Sequence, residues 1–147
     1  MKDLLYLRDD QIKDCIQLLL YAYRETFSDP IKILKKNSLG PAHHRTLNLV
    51  ERNQGISVSE LLIKLKITKQ SLNRVLRDLK KLKIIKQIKD QNDSRKKLLY
   101  LDSVGEKFYN EVFETQKKRI FNALKSSDSD SVLKFKEVLK KIINGKK

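Results

Sequence analysis

Between positions 68 and 97 the chain carries two sets of side chains suited to gripping a polyanion. The first is Thr68, Lys69, Gln70, Ser71, Asn73, Arg74 and Arg77; the second is Asp93, Arg95, Lys96 and Lys97. The carboxamides of Gln70 and Asn73 can each bond adenine through two contacts, and Lys69 and Arg74 can reach guanine O6 and N7 or a phosphate. Thr68 and Ser71 offer short hydroxyls, and the free N–H groups of a helix start attract phosphate oxygen. Arg95 suits the minor groove of A·T-rich duplex, where negative potential is concentrated. Asp93, two residues earlier, is placed to orient the Arg95 guanidinium. Lys86 and Lys89 fall within reach of phosphates on either side. An ordinary amphipathic surface helix and a lysine-edged soluble hairpin would show some of the same polarity. Their direct succession favours a DNA-reading unit.

The elements that must hold these groups are legible from periodicity and caps. Ile12, Ile16, Leu19, Leu20, Tyr23 and Phe27 form one apolar face of a first helix. Ser28-Asp29-Pro30 interrupts it, with Ser28 or Asp29 as a cap and Pro30 at the first position of a restarted helix. Gly40 ends that segment and Pro41 opens a helix near 41–53, which turns Leu47 and Val50 inward. Ser57-Val58-Ser59-Glu60 has the pattern of a capping box. The short helix it starts faces inward through Val58, Leu61, Leu62 and Leu65. After Lys66-Ile67, Thr68 caps a second helix whose inner face is Leu72, Val75, Leu76, Leu79 and Leu82. Two helices joined so closely match a helix-turn-helix unit.

Ile84–Ile88 and Leu98–Leu101 read as β segments around a polar loop, Asp90–Lys96, which makes a wing. Asp102 or Ser103 can cap a long helix to about Lys125, and a polar turn over 126–131 precedes a final amphipathic helix. The expected fold is mainly α with a small β-hairpin: one domain, a winged helix-turn-helix over 40–102 flanked by N-terminal (1–39) and C-terminal (103–147) helices. Single glycines at 40, 55, 105 and 145 fit helix ends and turns.

Charge points the same way. The chain of 147 residues carries 33 basic and 18 acidic groups, a net +15. Residues 69–97 hold 11 basic and 3 acidic groups, so +8 is concentrated in 29 residues. Lysines outnumber arginines 25 to 8, so a compositional bias accounts for some of the total. It accounts less well for the clustering, which is the footprint of a polyanion partner.

Other classes find little support. No stretch approaches the roughly 18 apolar residues of a membrane span, and the N-terminus lacks the pattern of a signal peptide. A single cysteine leaves no internal disulfide and fits a reducing cytoplasm. His43 and His44 are the only histidines; neighbours on a helix diverge by about 100°, so no metal site is expected. No phosphate-cradling glycine loop or nucleophile elbow is present, and neither an enzyme nor a cofactor is expected.

Three stretches carry a resemblance. They are Thr68-Lys69-Gln70-Ser71-Leu72-Asn73-Arg74-Val75-Leu76, then Asp93-Ser94-Arg95, then Lys97-Leu98-Leu99-Tyr100-Leu101-Asp102-Ser103-Val104-Gly105. They resemble the MarR family of bacterial transcription regulators. Gly40-Pro41-Ala42-His43-His44-Arg45 with Ile67–Leu72 is similar, more narrowly, to its PetP-like branch. The resemblance implies a homodimer with interlocked terminal helices, so that 1–39 and 103–147 are its dimerisation regions and 40–102 its DNA-binding region, and two recognition helices on a pseudo-palindromic operator. It implies a dimer face at Ile12, Cys15, Ile16, Leu19, Phe121, Leu124, Phe135, Leu139 and Ile142. It also implies an aspartate–arginine pair in the wing at Asp93 and Arg95.

Such families place an effector cleft between the dimerisation and DNA-binding regions, for which Tyr23, Arg24 and His44 are candidates, with Tyr21 nearby. Any small-molecule effector is unidentified. The chain departs from many relatives in having Lys66 where they have glycine, so either an αL conformation there costs about 1 kcal/mol or the turn differs. Ser94 replaces the first of a doubled arginine in the wing. Cys15 lies roughly where a peroxide-sensing branch keeps its reactive cysteine, but Asp29 and Gly40-Pro41 stand where that branch has activating tyrosines. Packing is the expected role of Cys15. Two alternatives to a sequence-specific regulator remain: a low-specificity nucleoid-type DNA binder, and a protein-interaction module.

Overall fold

A computed structural model describes residues 4–145. After a short 3₁₀ turn at Leu5–Leu7, the order is α1 (Asp9–Ser28), α2 (Ile31–Lys36), α3 (Pro41–Arg52), β1 (Ile56–Ser57), α4 (Val58–Leu65) and α5 (Lys69–Lys81). Then come β2 (Ile85–Lys89), β3 (Lys97–Leu101), α6 (Ser103–Lys125) and α7 (Ser129–Asn144). The winged helix-turn-helix is present, with α4 and α5 as its two helices and β2–β3 as its wing.

The helix starts follow side-chain chemistry. Ser57 accepts from the Glu60 N–H at 3.2 Å, and Thr68 accepts from the Ser71 N–H at 3.1 Å. Asp102 accepts from the Ser103 N–H at 2.8 Å, and Asp128 from the Ser131 N–H at 2.9 Å. Each satisfies a donor that the first turn leaves free. The final helix therefore begins within the polar stretch assigned to a turn, where Asp128 caps its first turn.

The helix ends are less conventional. Ser38, Lys66 and Lys83 all have positive φ, at 59°, 54° and 59°. After α5, Ile84 N–H bonds Leu79 O and Lys83 N–H bonds Lys80 O, the double closure of a Schellman motif. Of the two outcomes open at Lys66 the chain takes the left-handed one, with the Lys66 N–H on Leu62 O.

The core runs through the middle of the chain. Leu47, Leu61, Leu72, Leu79 and Leu99 have no exposed surface, and Ile84 and Ile85 have 2%. By contrast α1 and α7 contain no buried residue. Their apolar stripes face outward in the single chain: Ile16 is 61% exposed, Phe135 53% and Ile142 51%.

Several expectations need correction. The hairpin is the larger part of a three-stranded antiparallel sheet in the order β1-β3-β2, with Ile56 opposite Leu99. A two-residue strand is too short to show alternation, so sequence pattern passes over it. Pro30 stands one residue before α2 rather than inside it, and Asp29 bonds Arg119 instead of capping. Gly40 caps the start of α3; Ser38 and Leu39 already close α2. Leu82 is 39% exposed, because the chain leaves the helical path there and the inner face ends at Leu79.

Gly105 lies in the first turn of α6, and its reason is contact rather than a turn. A Cβ there would overlap the carbonyl of Ile84, the same carbonyl that accepts the Asp102 N–H at 2.9 Å. Only a glycine lets α6 start against the foot of β2. Gly105→Ala should therefore lower stability by about 1–3 kcal/mol through forced separation of these elements. A chemical-denaturation midpoint equal to wild type would refute that reading.

Candidate nucleic-acid interface

The outer face of α5 is set by its inner one. Leu72, Val75, Leu76 and Leu79 are buried, which leaves Lys69, Asn73, Arg77 and Lys80 along one solvent-facing row. Beside this row the wing closes a groove of about 660 Å³. Lys69, Asn73, Arg77 and Lys80 line it from α5, Arg95, Lys96 and Lys97 from the wing, and Ser57 and Ser59 from the start of α4. Six cations thus converge on one concave surface, where low-dielectric walls focus their field.

The wing is built to hold that charge outward. Asp90 N–H bonds Lys96 O at 2.9 Å, and Lys96 N–H bonds Asp93 O at 3.0 Å. The expectation that Asp93 orients the Arg95 guanidinium needs correction: its carboxylate instead accepts the Arg95 backbone N–H at 3.0 Å. The pair is therefore realised through the backbone, and Asp93 shapes the turn that presents Arg95. At the base of the wing Lys89 stands directly opposite Lys97. Like charges in that register repel, so this pairing costs stability unless an anion lies between them.

The remaining sequence-assigned DNA residues take other places. Thr68 is the cap of α5, and its hydroxyl also donates to Ser71 Oγ at 2.9 Å. Gln70 and Arg74 are exposed on α5 but do not line the groove. Lys80 and Gln87 stand outside the sequence-assigned set, yet both line it, joined at 3.0 Å from Lys80 Nζ to Gln87 Oε1. The spacing Lys69, Asn73, Arg77, Lys80 is a helical stripe that would have revealed Lys80. Nothing in the sequence marks Gln87.

A second concavity, of about 380 Å³, lies between the end of α1, α3 and α6. Phe27, Tyr109, Phe113, Ile120 and Phe121 supply its apolar wall, and Asn48, Gln116 and Lys117 its polar groups. Of the residues suggested for an effector cleft, none is in that lining. Tyr23 is half exposed and stacks on Phe27 at 4.6 Å between centroids. Arg24 lies over the Tyr21 ring and pairs with Glu25 at 2.8 Å. His44 is buried behind the cavity, with its ring 5.2 Å from that of Phe27.

Two contacts tie this region together. Arg119 grips Asp29 through two hydrogen bonds of 2.7 and 2.9 Å, which hold the Asp29 carboxyl below the usual carboxylate range. Gln116 donates to Thr26 O at 2.9 Å.

Of the residues assigned to dimerisation, Ile12, Ile16, Leu19, Phe121, Phe135 and Ile142 are exposed in the single chain, and Leu124 and Leu139 half-buried. Cys15 is exposed as well. Among the described residues no group of His, Cys, Asp and Glu is arranged to hold a metal, and no helix is long and apolar enough to cross a membrane.

A helix-turn-helix followed by a cationic wing defines a winged-helix DNA-binding protein. Comparison with known proteins agrees in detail. A model of the MarR family matches residues 37–96. The HTH-type transcriptional regulator PetP of Rhodobacter capsulatus is 34% identical over 141 residues, covering 96% of this chain and 85% of that one. A mutant of MepR from a multidrug-resistant S. aureus clinical isolate superposes with a TM-score of 0.76 at 18% identity, over 87% of this chain and 94% of that one. NadR, solved in complex with 4-hydroxyphenylacetate, gives 0.75 at 23% identity, over 87% and 91%. The chain belongs to the MarR family of DNA-binding transcriptional regulators, and its similarity to PetP supports the branch suggested by the Gly40–Arg45 segment.

Burial pushes the His44 imidazole below its ordinary value, and the nearby Arg45 charge adds to this, while a hydrogen bond to Gln116 opposes it. The folded state therefore binds this proton less readily than the unfolded chain. The stability it contributes is complete above the unfolded value of 6.5 and is lost as pH falls through the lowered folded one. Replacing His44 by Asn should flatten the dependence of the urea midpoint on pH between about 7 and 5. An unchanged slope in that window would contradict this role.

Proposed function

We propose that this protein is a homodimer that binds a pseudo-palindromic operator and regulates transcription in the cytoplasm. The groove carrying Lys69, Asn73 and Arg77 against Arg95, Lys96 and Lys97 is the observation that carries this reading. In it, α5 enters the major groove with Gln70, Asn73 and Arg74 toward base edges. Thr68, Lys69, Ser71 and Arg77 meet edges or phosphates. Arg95 occupies the adjacent minor groove, and Lys96 and Lys97 hold its backbone.

Residues 40–102 then form the DNA-binding region, and 1–39 with 103–147 form the dimerisation regions. The unburied stripes of α1 and α7 support the latter, since a helix with Phe135, Val138 and Ile142 exposed needs an apolar partner. A second copy covers both stripes at once under twofold symmetry. The cavity beside Phe27 and Phe113 supports an effector that is small and largely apolar. It lies where α1 and α6 of the arms meet α3 of the DNA-binding region.

The decisive experiment selects a duplex from a random-sequence pool with the wild-type chain and measures its Kd across salt. Arg77→Ala and Arg95→Ala should each weaken binding severalfold with the fold intact by circular dichroism. The salt slope should fall by about one for a lost phosphate contact. Wild-type affinity in both variants defeats the assignment. Equal affinity for the selected and a scrambled duplex would make the protein a low-specificity DNA binder instead.

Dimerisation has its own measurement. By light scattering the wild-type chain should appear as two copies of 17.3 kDa, and Phe135→Glu should shift it toward one. A wild-type monomer at micromolar concentration would remove the twofold arrangement.

A further inference from the structure

We infer that His43 is a positioning residue that sets the stance of the recognition helix and keeps its one carboxylate away from the duplex. The inference rests on the DNA-binding reading above but concerns a residue outside the groove.

His43 sits in the first turn of α3 and joins two elements. Its Nδ1 accepts the Gly40 N–H at 3.0 Å, and its Nε2 lies 2.8 Å from Asp78 Oδ2 on α5. Because Nδ1 is an acceptor, the hydrogen of the neutral ring belongs on Nε2, so the ring donates to Asp78. The Gly40 contact is thus more than a cap. It fixes the tautomer and the orientation of the ring that reaches α5. His43 is largely shielded, its side chain 16% exposed.

Asp78 is the sole acidic residue of α5. Left free, its charge would repel phosphate beside Arg74 and Arg77. Bonded to His43, it is turned toward α3. Burial of Leu72 and Leu79 holds α5 against the core, but hydrophobic contact has little directionality. A hydrogen bond from a helix anchored by Leu47 and Val50 adds the directional constraint on rotation of α5 about its own axis.

Three variants separate this role from simpler ones. His43→Gln preserves the bond to Gly40, since Gln at the third helical position is the usual partner in a capping box. It loses the reach to Asp78. Asp78→Ala deletes the acceptor, and Asp78→Asn keeps an acceptor while removing the charge. Kd is measured by fluorescence anisotropy at fixed salt on the duplex selected by wild type and on a scrambled duplex of equal composition.

With His43→Gln, affinity for the selected duplex should fall roughly fivefold while scrambled binding and Tm stay near wild type. Asp78→Ala should also weaken selected binding, although loss of a negative charge alone would tighten it. Asp78→Asn should retain the selectivity of the wild type. Selectivity unchanged in His43→Gln, or Asp78→Ala binding both duplexes more tightly, overturns the inference and leaves the DNA-binding reading standing. Should His43→Gln unfold, the sign of the Asp78→Ala effect decides alone. A wild-type chain that binds no duplex defeats both.

Discussion

Burial of four residues on α5 governs the rest of this molecule. Leu72, Val75, Leu76 and Leu79 enter a core shared with Leu47, Leu61, Ile85 and Leu99. Each contributes roughly 2 kcal/mol through surface removed from water. Together they leave a single arc of the helix for solvent, and that arc is where its cations gather. The same core receives Ile85, Leu99 and Leu101 from the wing strands, so the helix and the wing share one anchor. The groove between them is therefore a consequence of core packing, and its charge is carried by residues that need nothing from the core.

That charge has a cost to the free protein. Lys89 opposes Lys97 across the wing, and six cations line one concavity. A duplex offers phosphates to the same surface, so binding would relieve repulsion as well as form contacts. Asp78 is the exception on α5, and the His43 bond explains how an acid is accommodated there.

The terminal helices obey a different logic. Neither α1 nor α7 buries a residue, while the first half of α6 buries Gly105, Phe108 and Val112. The long helix thus enters the core through its first half only, and its second half leaves Ile120 and Phe121 exposed. Asp29 with Arg119, and Gln116 with Thr26, fasten the end of α1 to α6 beside the aromatic cavity. His44 adds α3 to that junction, so α3 meets α1 and α6 across a buried imidazole and a set of aromatic side chains.

Local rules are legible from residues alone. Thr68, Ser57 and Asp102 are caps because their short oxygens reach a backbone N–H within the next turn, whatever surrounds them. The 3.6-residue rhythm of Leu72, Val75, Leu76 and Leu79 likewise names its own inner face. The clustered lysines and arginines, and the resemblance over 68–105, carry the class of protein. What stays hidden depends on residues far apart in sequence. Gly105 matters because Ile84 lies against it, β1 exists because Leu99 pairs with Ile56, and His43 acts because Asp78 is within 2.8 Å. Sequence assigns Asp93 to the wrong atom of Arg95, since composition cannot distinguish a backbone amide from a guanidinium. Periodicity and capping are properties of one short segment and are written into it. Contacts across the core depend on how separate segments come together, and only the folded chain decides that.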